Sequence, residues 1–220
     1  MNELDNKEIS EIISVMTNCH LEIRKLINKD IEDKKHAIYL LQGGSLSSLI
    51  YAYDFNNQGY IAPLMQQYRM MLETAELIIY FDELKDNSRQ IKTFFKGKTV
   101  KRKPGNSGNP TIEERIKLSG LTEEQLNRED ELCEKLFNIS SNYLHPTIES
   151  IRGDKGDNLL KNSYTFDYER SNIPKPYMSP ALFNNLFLRP VIRGFLIPIK
   201  TLPLNKSYYL ILFNFLDKYK

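Results

Sequence analysis

Apolar residues recur at three- and four-residue steps along most of the chain, the pattern of helices that bury one face. Ile9, Ile12, Ile13, Met16, His20, Ile23 and Ile27 form one such stripe and predict a helix over residues 5–29. A second helix is expected over 33–53. Its centre, Gly43-Gly44-Ser45, is helix-weakening and marks either a kink or a close helix crossing. Asn56-Asn57-Gln58-Gly59 reads as a turn. A third helix starts at Pro63, a residue suited to the first helical turn, and meets no breaker before Asp86. Its apolar face is Leu64, Tyr68, Met71, Leu72, Ala75, Ile78, Ile79 and Leu84, and Asp86 or Asn87 is placed to cap a short continuation through Phe94-Phe95.

Residues 96–110 break the pattern. Lys96, Lys98, Lys101, Arg102 and Lys103 run into Pro104-Gly105-Asn106-Ser107-Gly108-Asn109-Pro110, which has no apolar face to bury and predicts a mobile loop. Two capping boxes follow, at Thr111-Ile112-Glu113-Glu114 and Thr122-Glu123-Glu124-Gln125. The second opens a helix to about Leu144, with Leu126, Leu132, Cys133, Leu136, Phe137, Ile139 and Tyr143 as candidate buried positions. Pro146 disfavours helical geometry at His145, so the imidazole sits at the helix C-terminus, where the dipole favours its protonated form. Residues 163–170 alternate as a short strand would. Ser179-Pro180 reads as a cap and first-turn proline before an aromatic helix that Pro190 kinks or ends. A last helix over 207–218 places Tyr208, Leu212, Phe215 and Leu216 on one stripe. The expected fold is all-α: a helical bundle over 1–152, and an irregular, aromatic-rich C-terminal extension over 153–220 packed on it.

Composition narrows the function classes. With 220 residues, 41% apolar content and 24 aromatics (13 Tyr and 11 Phe), the chain can bury a substantial core. The net charge of +2 gives no global attraction to nucleic acid or membrane. Cys19 and Cys133 fall on apolar stripes and are read as reduced core residues. The first residues carry no secretory pattern, and the apolar stretch from Ala181 to Ile199 is interrupted by Asn184, Asn185, Arg189, Pro190, Arg193 and Pro198. A cytoplasmic protein with no membrane span is expected.

No phosphate-binding glycine loop, zinc-spaced Cys/His set or nucleophile elbow is present, so neither a metal nor a cofactor is expected. Two helical segments instead carry polar groups one turn apart: Arg69 with Glu73, and Ser141 with His145. An imidazole titrating near neutrality can move protons, and an arginine can stabilise developing negative charge. His145, Arg69 and Glu73 are thus the candidate catalytic set. Ser141, Asn142 and Tyr143 are candidates to position a phosphate or ribose, and Lys101, Arg102 and Lys103 to touch RNA phosphates. The same residues also fit plainer roles: an intrahelical ion pair for Arg69 and Glu73, a C-terminal cap for His145, a solvated loop for the basic run. His20 is expected to be a satisfied core histidine, and His36, beside Lys34 and Lys35, to be exposed.

Tyr68-Arg69-Met70-Met71-Leu72-Glu73-Thr74-Ala75, then Tyr80-Phe81, then Ser140-Ser141-Asn142-Tyr143-Leu144-His145-Pro146-Thr147 resembles bacterial α-helical proteins near the HEPN superfamily, over roughly residues 60–150. The resemblance implies an antiparallel helical bundle, commonly a homodimer. It also implies a place among metal-independent RNases of defence or toxin–antitoxin systems, or among relatives that serve as binding and assembly modules. The family's hallmark is an arginine, four to six intervening residues, then a histidine. Here the upstream positions are Asn138, Ile139 and Ser140, so Arg69 would have to substitute from another helix. An enzyme would gather Arg69, Glu73, Ser141 and His145 in an open cleft. A module binding a partner protein would expose apolar area around Phe183, Phe187 and Phe195.

Overall fold

The structure is a computed structural model and describes residues 4–86, 88–98, 100, 122–124, 127 and 176–219. Among the described residues the regular structure is entirely helical. The elements are α1 (Asn6–Arg24), α2 (Lys34–Gln58), α3 (Ile61–Glu83), α4 (Arg89–Phe95), α5 (Pro180–Phe183), a π-turn (Asn184–Leu188), α6 (Arg189–Leu196), a 3-10 turn (Ile197–Lys200) and α7 (Lys206–Lys218). The expected strand over 163–170 lies outside the described residues, as do Cys133 and most of the helix predicted to run to Leu144. Thr122 directly precedes helical residues 123 and 124, where its capping box puts the start of that helix.

Each boundary has a local cause. Asp5 caps α1 by accepting from the Glu8 amide at 2.8 Å, and Asp33 caps α2 through the His36 amide at 2.8 Å. α2 runs further than expected. Asn56, Asn57 and Gln58 are helical, and Gly59 alone turns the chain at φ 75°, with Tyr60 N–H bonding back to Phe55 O at 2.9 Å. This left-handed ending is one that glycine takes without steric cost. Asn56 stays helical because its amide has another use. It accepts from Met178 N at 2.7 Å and donates to Met178 O at 3.4 Å, while its main-chain oxygen takes Tyr177 N–H at 2.9 Å. Ser88, rather than Asp86 or Asn87, caps α4.

α2 and α3 form the most extensive helix pair; α1 packs on α2, α6 packs on both, and α7 packs on α6 and α1. α3 buries Leu64, Met65, Tyr68, Met71, Ala75, Ile78 and Phe81, whereas Ile79 and Leu84 are only half-buried; the Leu72 side chain lies outside the described ones. The core is continuous from Ile9, Met16 and Ile23 on α1 to Phe183, Phe187 and Phe195 in the C-terminal region. Gly43 and Gly194 mark close approaches. A methyl added at Gly43 would stand 2.9 Å from His20 Nε2, and one at Gly194 would stand 3.2 Å from Ile78 Cδ1. The Gly43 region is therefore a crossing and not a kink.

Pro190 neither ends nor interrupts its segment. A proline inside a helix lacks an N–H and its ring crowds the carbonyl four residues back. The turn before it widens instead, and Arg189 N–H bonds to Asn184 O five residues upstream. Ser179 caps the segment by accepting from Leu182 N at 3.3 Å, as its sequence predicts. Pro180–Lys200 has the length and mean hydropathy, 1.2, of a membrane-crossing helix, yet 61% of that window is buried inside the protein.

Candidate functional site

α3 splits its polar motif between two faces. Tyr68 points inward and packs edge-on against Phe187, with ring centroids 5.2 Å apart. Arg69 and Glu73 lie one turn apart on the outer side. Arg69 Nε donates to Glu73 Oε1 at 2.9 Å, with side-chain exposures of 30% and 53%. Met70 beside them is more than half exposed. The guanidinium is therefore oriented by a carboxylate of its own helix, and its side chain is half-buried. Of the candidate residues, these are the two placed together. His145, Ser141, Asn142, Tyr143, Lys101, Arg102 and Lys103 lie outside the described residues.

A second polar centre sits where α1 crosses α2. The His20 ring stacks on Tyr39 at 4.3 Å and 4°, meets Phe195 edge-on at 6.3 Å, and rests against Gly43. Its Nδ1 is buried without a hydrogen-bond partner, so the expectation of a satisfied core histidine is not met. Desolvation, and secondarily the positive charge of Arg24, lowers its pKa and keeps the ring neutral. Among the described residues the crossing brings no hydrogen-bond partner to Nδ1. His36 also departs from expectation. It is half-buried, packs against Phe95 at 5.2 Å, and places Nδ1 3.1 Å from Ile31 O.

Next to His20, the Cys19 thiol is buried and free, as predicted. Burial, and then Glu22, pushes its pKa up to about 12, so it is a poor nucleophile. It forms part of the floor of a 290 Å³ groove between the end of α1 and the start of α7, shared with Ile23, Leu26, Leu204 and Tyr208. Tyr208 Oη closes one rim by donating to Glu22 Oε1 at 3.0 Å. At the other end of the α1–α7 contact, Glu8 accepts from Lys218 Nζ at 2.6 Å and from the Tyr219 hydroxyl. These bonds, Lys218 first, hold the Glu8 carboxyl below its usual range. Arg189, buried in the core, donates to Tyr219 O at 2.9 Å and completes the latch.

The partner-binding reading, unlike the catalytic one, predicts exposed apolar area around Phe183, Phe187 and Phe195, and the structure does not meet it there. All three are fully buried. Phe183 and Phe187 stack on each other at 4.9 Å, and Tyr53 and Tyr68 close over them. Exposed large apolar side chains are scattered over α1, α2 and α3 (Leu21, Leu40, Tyr51 and Met70 among them), and in the C-terminal region they gather on α7. Leu212 and Phe215 dock inward, while Leu210, Ile211 and Phe213 are exposed at 45%, 44% and 48%. Tyr209 stacks on Phe213 at 5.9 Å and 11°, which holds the outer ring in place. From Tyr208 to Leu216 the helix carries no charge. Among the described residues no group of three His, Cys, Asp or Glu side chains is arranged to hold a metal ion.

Comparison with protein-family models, with curated proteins and with solved structures finds no match for this chain.

Proposed function

We propose that the chain is a HEPN-like interaction and assembly module of a bacterial defence or toxin-type system, an antiparallel helical bundle that works in the cytoplasm through protein contacts rather than chemistry. The observation that carries this reading is α7, a docked helix whose outer side presents Leu210, Ile211 and Phe213 to solvent. A helix that is apolar on both its docked and its outer side has more surface to bury than the described residues cover. The Arg69–Glu73 pair fits the same reading as an intrahelical ion pair, worth a few tenths of a kcal/mol, about 0.3–0.5.

A second reading, metal-independent RNA cleavage, draws on the orientation of Arg69 by Glu73. In it the ribose 2′-hydroxyl attacks the adjacent phosphorus and expels the 5′-oxygen of the next nucleotide, leaving a 2′,3′-cyclic phosphate; His145 moves the proton, Arg69 stabilises the charge and Glu73 holds Arg69. Ser141, Asn142, Tyr143, Lys101, Arg102 and Lys103 hold the RNA. Incubating labelled structured and single-stranded RNA with the protein in EDTA separates the two. Intact RNA at high protein concentration supports the assembly module. Cleavage of RNA but not DNA, abolished by His145→Ala and by Arg69→Ala with the fold retained, overturns it.

A further inference from the structure

We infer that the outer face of α7 pairs with the same face of a second copy of this chain, antiparallel about a two-fold axis; this rests on the assembly reading above and supplies its partner. On a helix that turns 100° per residue, Lys206, Leu210, Phe213 and Asp217 fall within an arc of about 60°, opposite the side that carries Leu212 and Phe215. Lys206, Leu210, Phe213 and Asp217 are all exposed. Their spacing of four, three and four residues is that of a helix–helix seam. The order is apolar at the centre, with a base at one end and an acid at the other.

That order is self-complementary in one direction only. Residues 210 and 213 are equidistant from the 211–212 peptide, and so are 206 and 217. A two-fold axis beside that peptide therefore sets Leu210 of each copy over Phe213 of the other, and Lys206 of each copy against Asp217 of the other. A parallel pair would set lysine against lysine and aspartate against aspartate. Isologous contacts require this kind of self-complementarity. The absence of charge from Tyr208 to Leu216 leaves nothing to repel across the centre. The Tyr209–Phe213 stack fixes the anchor ring before contact, which reduces the entropy lost on binding.

Sedimentation velocity of the whole chain over a concentration series tests the inference. Wild type is expected to pass from monomer to dimer. Leu210→Glu and Phe213→Glu, both at exposed positions, are expected to weaken the dimer at least about tenfold with unchanged far-UV circular dichroism. Lys206→Asp and Asp217→Lys are each expected to weaken it about two- to fivefold, and the double swap to restore it. Recovery in the double swap separates this register from any other surface. A wild type that stays monomeric at millimolar concentration, or a dimer indifferent to Phe213→Glu, overturns the inference. If such a monomer leaves RNA intact, the module reading stands with a different partner protein; if it cleaves RNA, both readings fall.

Discussion

Replacing Gly43 with alanine has an effect whose sign depends on His20. In a helix interior alanine is favoured over glycine by about 1 kcal/mol, and Gly43 lies well inside α2. The added methyl, however, would sit 2.9 Å from His20 Nε2 and 3.2 Å from Cε1. The ring has nowhere easy to go, because Tyr39 stacks on one face at 4.3 Å and Phe195 meets it edge-on. Overpacking of this kind costs about 1–3 kcal/mol. Gly43→Ala alone is therefore expected to be neutral to destabilising, by up to about 2 kcal/mol once the propensity gain is subtracted. In a His20→Ala background the methyl enters vacated space and the same substitution is expected to stabilise by about 1 kcal/mol. Urea denaturation of the four proteins at pH 8, where the ring is neutral in both states, yields the coupling directly. A gain of about 1 kcal/mol in both backgrounds would show that α1 and α2 do not meet at this point.

Three further outcomes follow from the same structure. His20 titrates below its ordinary value in the folded chain, so its contribution to stability is full above the unfolded pKa near 6.5 and declines as pH falls toward the lower folded value. His20→Leu should make the stability–pH slope below about 6.5 shallower by at most one proton, and an unchanged slope in denaturation curves would refute the burial argument. Asn56→Ala removes both side-chain bonds to Met178 and should cost about 2–4 kcal/mol in chemical denaturation; a loss under about 0.5 would show that the 177–178 segment is held by other contacts. Cys19 should resist iodoacetamide at pH 8 in the native protein and react in urea, as followed by peptide mass mapping. Rapid native labelling would contradict its burial.

The sequence carries the periodic parts of this fold well, because a stripe such as Ile9, Ile12, Met16 and Ile23 has one geometric solution. Ser179-Pro180 is a local signal and acts locally, Ser179 capping the helix that Pro180 opens. What it does not carry is long-range. Asn56 looks like a turn residue until Met178, 122 positions away, occupies its amide. The crossing of His20 with Gly43 needs two helices to be docked first. Phe183, Phe187 and Phe195 are as apolar as any exposed docking patch would be, and only packing against Tyr53 and Tyr68 distinguishes core from surface. For the candidate site, the Arg69–Glu73 pair follows from four-residue spacing alone. The α7 seam was equally available in the spacing of 206, 210, 213 and 217, but the burial of Leu212 and Phe215 is what turns it outward.

The latch that ties Glu8 to Lys218 and Tyr219 joins residues 210 and 211 positions apart. On a ribosome, α1 and α2 emerge long before α6 and α7, which complete around α1 the packing that α2 begins. The latch at Glu8 is thus among the last contacts of α1 to become available, and residues as far apart as 8 and 218 must find one another across a long, costly loop. During synthesis the growing chain holds Met16, Cys19 and Ile23 without their final neighbours, a state in which apolar helices recruit chaperones or one another. Closure of the α1–α7 contact is therefore a late event, timed by the arrival of residues 206–219.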